Sequence, residues 1–261
     1  MVVWLFKALV AAHIVTGTVG LISLWVPIVG RKGGAVHKKW GVVFARSLLL
    51  TGGFAVGISI CTLIAPLETH PFWDDPVLVS AVFGWMMLYL ATMTINLANY
   101  GRLCIQNRQN HAANRTAVNL FLQAATFFTA LNCAIQGWRV EQPLLVGMSI
   151  VGLAAGFLNT RFILRRNPPA NEWLIQHSRG LVGAGISVYT AFLAFGAVNL
   201  MPQFAFSPVL WATPCVLGVT YLLYHQVRIM LARYRKRAAK PTPPARASGP
   251  ALPHVGQVKH P

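Results

Sequence analysis

An all-α, polytopic membrane fold with seven transmembrane helices is predicted by three observations. Apolar runs of about 20 residues recur along the chain, the length that crosses a hydrocarbon core. Charged residues make up only 10% of the 261 residues, against about 25% in a soluble domain. The cations are also unevenly placed, crowding into alternate connections between the apolar runs.

The runs place seven spans, at residues 3–29, 41–65, 77–98, 113–137, 144–164, 180–200 and 208–231. The first carries no side-chain charge before Lys7 and no small-residue cleavage site closes it, so it is expected to stay as a helix and not to be removed as a signal. The stretch 30–46, GRKGGAVHKKWGVVFAR, reads as a tight basic turn between spans one and two. Its cations are Arg31, Lys32, Lys38 and Lys39, with Arg46 inside the second span. Polar turns with a histidine recur at His111 and His177, giving three helical hairpins of spans one–two, three–four and five–six, plus a seventh helix. Pro66, Pro71 and Pro76 punctuate the longest opposite loop. Pro168-Pro169 stiffen the connection before the sixth span. From residue 233 the chain is rich in Pro, Ala and cations, with little to bury. It is predicted to be a disordered basic cytosolic tail, 233–261, following a membrane domain at 1–232.

Orientation follows from charge. Of the 22 Lys and Arg, all but Lys7 and Arg139 fall on one side of the predicted spans. Four of the five acids, Glu68, Asp74, Asp75 and Glu141, fall on the other. Cytosolic loops carry the excess of Lys and Arg, so the N-terminus is predicted outside and the C-terminus inside. The net charge of +17 then has membrane lipids as its partner, and not nucleic acid. Cys61, Cys104, Cys133 and Cys215 have no metal spacing and read as packing residues. Glycine pairs such as Gly152/Gly156 let helices approach closely, which fits a membrane-protein partner or a homo-oligomer.

Two stretches carry a resemblance. In HIVTGTVGLISLWVPIVGRKGGAVHKKWGVVFARS, His13, Lys32, Gly33, Gly34, His37 and Gly41 match an opening signature. In EWLIQHSRGLVGAGISVYTAFLAFG, Glu172, Trp173, His177, Thr190, Ala191 and Phe192 match a later motif. Over roughly residues 10–200 the chain resembles the bacterial family of multi-pass membrane proteins catalogued as domain of unknown function 2306. Arg179 and Leu181 stand where members often have methionine. The resemblance implies a bacterial inner-membrane location and no activity.

Polar groups within a mostly apolar chain are the functional candidates. His37, His111 and His177 share the predicted cytosolic face with Glu172, the one carboxylate on that side. Imidazoles and a carboxylate at one depth are the ligand types of Zn²⁺ or non-haem iron, and two of the histidines are the ligand types of a haem. The competing reading makes these histidines helix caps or lipid-headgroup contacts. His13 lies near mid-membrane, where an ionisable group is a functional candidate, and a hydrogen bond to a neighbouring helix is its bland role. Together His13, His37, His111 and His177 form the cofactor-binding set. Arg46 and Arg179 are the candidates for an anion or lipid headgroup. Asn119 and Gln123, four apart, share a helix face with interhelical bonding as their expected role. No GxSxG, P-loop, HExxH or CxxC is present, so the sequence assigns no reaction. The readings left are a histidine-centred metal or haem protein, a small transporter or lipid-binding protein, and a non-catalytic assembly subunit.

Overall fold

The computed structural model describes residues 1–196 and 208–238. Every element among them is helical. The long helices are α1 (Val2–Val29), α2 (Ala35–Ile64), α3 (Pro76–Gln106), α4 (Ala117–Arg139), α5 (Pro143–Leu164), α6 (Glu172–Ala191) and α7 (Pro208–Ala238). Helices α1 to α5, and Ala212–Ala232 within α7, are long and apolar enough to cross a membrane. That makes six. α6 corresponds to the sixth predicted span and is not among these six. Its first turns carry Glu172, Gln176, His177 and Arg179, and residues 197–200 of that span lie outside the described residues.

Helix starts differ from expectation in a way that matters for the site. α2 begins at Ala35, ahead of the predicted residue 41. Gly33, at φ +77, lets the chain reverse sharply. The Gly34 N–H closes the turn on the Arg31 carbonyl at 3.1 Å, and the helix starts at once. α6 begins at Glu172, ahead of the predicted 180. Asn171 at its head sits at φ 62, a left-handed conformation asparagine tolerates. His37 and His177 therefore lie on helices and not in the turns before them, and Arg46 and Arg179 lie well inside theirs.

α3 starts on a cap. Asp75 Oδ1 accepts from the N–H groups of Val77 (2.8 Å) and Leu78 (3.1 Å), with Pro76 at the first helical position. It then runs π-helical over Ser80–Met86. Its most apolar stretch is 61% buried, the highest share of the six, so α3 is the central helix. α2, α4 and α6 all pack on it, while α1 packs on α2 and α5 on α4. α3 packs to a similar extent on α2 and on α6, while α4 has its largest interface with α5. The predicted second and third hairpins are thus nested, not self-contained.

The contacts explain the nesting. Gly101 of α3 and Gly180 of α6 meet backbone to backbone: a Cβ on Gly180 would stand 2.6 Å from the Gly101 Cα. Tyr89 of α3 lies over Gly152 of α5 and donates to the Met148 carbonyl at 2.8 Å. Leu48, Met86, Tyr89, Leu90, Ala98, Cys133 and Ala184 fill the core between these helices. Cys61, Cys104 and Cys133 are buried and free, as packing residues are. Two compact units divide the chain, residues 1–223 and 224–261. In the second, residues 224–238 are helical, including the first six of the predicted tail. Residues 239–261 of that tail lie outside the described residues.

Candidate functional site

The three basic connections gather at one end of the first unit. Arg115, just before α4, donates through Nε to the Ile163 carbonyl (3.1 Å) and through Nη2 to those of Leu164 (3.4 Å) and Arg165 (3.2 Å). It thereby caps the exposed end of α5, where the helix dipole favours a cation. Lys32 does the same for α1. Its Nζ donates to the Pro27 carbonyl at 2.8 Å and to that of Ile28, and it reaches the Tyr221 hydroxyl at 3.3 Å. Lost hydration there lowers the Lys32 pKa below the ordinary lysine value. Two of the basic residues, Arg115 and Lys32, thus terminate helices.

Three of the four singled-out histidines act as interhelical ties. His13 Nδ1 lies 3.0 Å from the Thr51 carbonyl of α2. His37 Nδ1 lies 3.2 Å from the Pro27 carbonyl of α1. His177 Nδ1 lies 2.8 Å from the Gly101 carbonyl of α3. A carbonyl only accepts, so in each ring Nδ1 carries the proton and Nε2 the lone pair. His13 meets a backbone carbonyl rather than a hydroxyl or amide. Thr16 of its helix face accepts from the Thr51 hydroxyl at 3.0 Å, reinforcing the same crossing. His37 and His177 lie within electrostatic reach of each other.

The metal set of His37, His111, His177 and Glu172 does not come together. Among the described residues no three His, Cys, Asp or Glu groups are placed to hold an ion. The reason is local. Glu172 is drawn to Arg165 (3.3 Å) and Gln176 (3.4 Å). His37 and His177 are turned to their carbonyls. His111 sits apart in a 3-10 turn, His111–Asn114, with its ring edge-on to Phe162 at 4.7 Å. Neither Arg46 nor Arg179 takes a hydrogen-bond or ion-pair partner among the described residues, and Arg46 is exposed.

What His111 joins is a buried run of carboxamides. Asn96 Nδ2 donates to Gln123 Oε1 and to Thr126 Oγ1, both at 2.9 Å, and Gln123 Nε2 returns a bond to Asn96 Oδ1 at 2.6 Å. Gln123 also reaches Asn119 Oδ1 at 3.4 Å, and Asn119 donates to the Asn114 carbonyl at 2.8 Å. Asn114 in turn accepts from Asn107 at 3.1 Å and lies 3.5 Å from His111 Nδ1. The polar line thus descends from the middle of α3 and α4 to the basic end. The shared face of Asn119 and Gln123 is its central link.

At its foot is a cleft of about 360 Å³. Asn107, Arg108, His111 and Asn114 line it from the α3–α4 connection, and Phe162, Asn171 and Trp173 from α5 and the start of α6. His111 Nδ1 lies 3.5 Å from the Asn114 amide nitrogen, which donates to the His111 backbone carbonyl at 3.1 Å. His111 Nε2 is buried with no partner. No carboxylate lines the cleft. The cleft thus brings together one cation, several amides and no carboxylate, beside a buried imidazole nitrogen without a partner.

Of these residues only His111 is singled out by the sequence as a candidate ligand, and Trp173 only as part of the later motif. Asn107, Asn114 and Phe162 are not, yet QNRQNHAAN at 106–114 carried a signal: its amides far exceed what a turn needs. No family model, no curated protein and no solved structure matches the chain.

Proposed function

We propose that the chain is a seven-span protein of a bacterial inner membrane, N-terminus outside and basic face to the cytosol, that binds an anionic, oxygen-rich group in the cleft around His111. The lipid- or solute-binding reading is thereby preferred to a metal centre. The observation that carries it is the partnerless His111 Nε2 in a cleft that has Arg108 and no carboxylate. The charge asymmetry of the loops supports the orientation, and the volume is that of a small-ligand site.

The test is calorimetric titration of detergent-purified protein with glycerol 3-phosphate, with glycerol as the neutral control. Glycerol 3-phosphate should bind and glycerol should not. His111→Ala should weaken binding by about tenfold or more, since a hydrogen bond to a charged group is worth about 1.5–3 kcal/mol. Equal affinity for the two probes, or an unchanged Kd in a folded His111→Ala protein, would overturn the assignment.

A second reading rests on His37 and His177. Both rings have Nδ1 held by a carbonyl, which is how ligating imidazoles are oriented with Nε2 free. A haem or metal held by these two rings would be bound through their Nε2 atoms. Purified protein should then show a Soret band, or metal in stoichiometric amount, that is lost in His37→Ala and in His177→Ala. Colourless, metal-free protein that still binds glycerol 3-phosphate removes this reading and leaves the first intact.

A further inference from the structure

Resting on the reading of the cleft as an anion site, we infer that its ligand carries a flat heteroaromatic ring beside the anion, the chemistry of a nucleoside monophosphate. The two connections that wall the cleft differ in character. Residues 107–114 bring Arg108, His111 and the amides of Asn107 and Asn114. Residues 168–173 bring Pro168, Pro169, Ala170 and the Trp173 indole, with Asn171 as their amide. A small phosphate ester satisfies the first wall and leaves the second bare. The volume of about 360 Å³ has room for more than such an ester.

Trp173 is the second residue of α6 and is half-buried. Among the described residues its indole takes no hydrogen bond and no ring contact. Phe162 also lines the cleft but is buried, so Trp173 is the accessible aromatic of the pair. An indole without an aromatic neighbour is a flat platform on which a base stacks. The rim decides between a ring and a long alkyl chain. Arg108, Gln109, Ala170 and Asn171 are exposed there. All four lie outside the helices apolar and long enough to cross a membrane, so the cleft opens toward water. A long chain would stay half hydrated in it. A planar ring instead lays its face on Trp173 and turns its polar edge to the carboxamides of Gln109 and Asn171. A carboxamide offers a donor and an acceptor side by side, which is how asparagine and glutamine pair with the edge of adenine. Arg108 is the matching partner for the phosphate.

The experiment is calorimetric titration of the detergent-purified full chain with adenosine 5′-monophosphate, ribose 5-phosphate and adenosine. The nucleotide should bind about tenfold more tightly than ribose 5-phosphate, which keeps the anion and lacks the ring. It should exceed by a similar factor adenosine, which keeps the ring and lacks the anion. Trp173→Ala should weaken the nucleotide about tenfold and leave ribose 5-phosphate unchanged, and Trp173→Phe should restore most of the loss. Arg108→Ala should weaken both phosphates. Ribose 5-phosphate bound as tightly as the nucleotide, or more so, overturns the ring and spares the cleft. Nucleotide affinity untouched by Trp173→Ala has the same meaning, and Trp173 is then a membrane-interface side chain. Equal weakening of both phosphates by Trp173→Ala also overturns the ring, because the indole then only shapes the wall. Adenosine bound as tightly as the nucleotide, or no phosphate bound by the unaltered protein, removes the anion site and this inference with it.

Discussion

Gly180→Leu is expected to remove most of the folded protein, whereas Gly53→Leu leaves it intact. At residue 180 a new Cβ would lie 2.6 Å from the Gly101 Cα, 2.7 Å from its N and 2.9 Å from the Leu97 carbonyl. All three are backbone atoms of α3, so no rotamer change relieves the contact. The helices must separate, and their separation breaks the bonds that tie them. Those are His177 Nδ1 to the Gly101 carbonyl (2.8 Å), Tyr100 to Gln176 (2.8 Å) and Thr94 to Ser187 (2.8 Å). Overpacking alone costs about 1–3 kcal/mol, and the lost hydrogen bonds bring the total to roughly 4 kcal/mol. A membrane protein of this size should then melt about 10 °C lower and express poorly. A Cβ at residue 53 would meet nothing within 4 Å, so Gly53→Leu should shift the melting point by little, within about 0.5 kcal/mol. The measurement is thermal unfolding of the two variants in one detergent. If Gly180→Leu melts with the unaltered protein, α3 and α6 do not touch as described, and His177 has lost its reason to sit where it does.

The same crossing shows what the sequence could and could not disclose. Five long apolar helices and the apolar core of α7 stand where the runs predicted them, because length and hydropathy are local properties of the chain. Gly180 is visibly one of a cluster of small residues, and such residues announce close packing. Nothing local tells Gly180 that its partner is Gly101, 79 residues earlier and equally unremarkable in a run of polar and apolar residues. The direction of the histidine rings was not legible for a related reason. Their types and common depth fit ligands of a metal, but the ring direction is decided by which neighbouring carbonyl lies within reach. Pro27, Thr51 and Gly101 supply those carbonyls from other helices or other turns. Only tertiary packing brings them close. Helix starts were misread because a left-handed Asn171 and the Gly33 turn let polar residues begin a helix, while the hydropathy pattern begins counting only at the first apolar run. The cleft escaped notice because its walls come from two connections, 107–114 and 168–173, that hydropathy treats as mere links.

Asn96→Leu should be the most damaging change to the polar line. Asn96 is fully buried and makes three bonds, two through Nδ2 at 2.9 Å and one through Oδ1 at 2.6 Å. Leucine removes all three and leaves both ends of the Gln123 amide short of a partner. Water cannot enter to replace them between packed helices, so the cost is that of buried polar groups left unmade, about 1–3 kcal/mol. Gln123→Leu should cost a similar amount, because it strands the Asn96 amide in turn. The double variant then discriminates between explanations. Two leucines leave neither amide to be stranded, so its loss should fall short of the summed single losses by about 1 kcal/mol or more, near the upper range for interhelical bonds in membranes. Reversible unfolding in mixed micelles measures all three. Strict additivity would mean that Asn96 and Gln123 do not share their bonds. The consequence reaches the cleft, since Gln123 bears on Asn119 and Asn119 holds the Asn114 carbonyl at 2.8 Å. Asn114 faces His111, so loosening the buried amides frees the turn that presents the imidazole. Glycerol 3-phosphate should accordingly bind the double variant more weakly although no residue that lines the cleft has changed. Unaltered affinity in that variant would show that the turn holds its shape unaided, and would reduce the carboxamide line to a tie between α3 and α4.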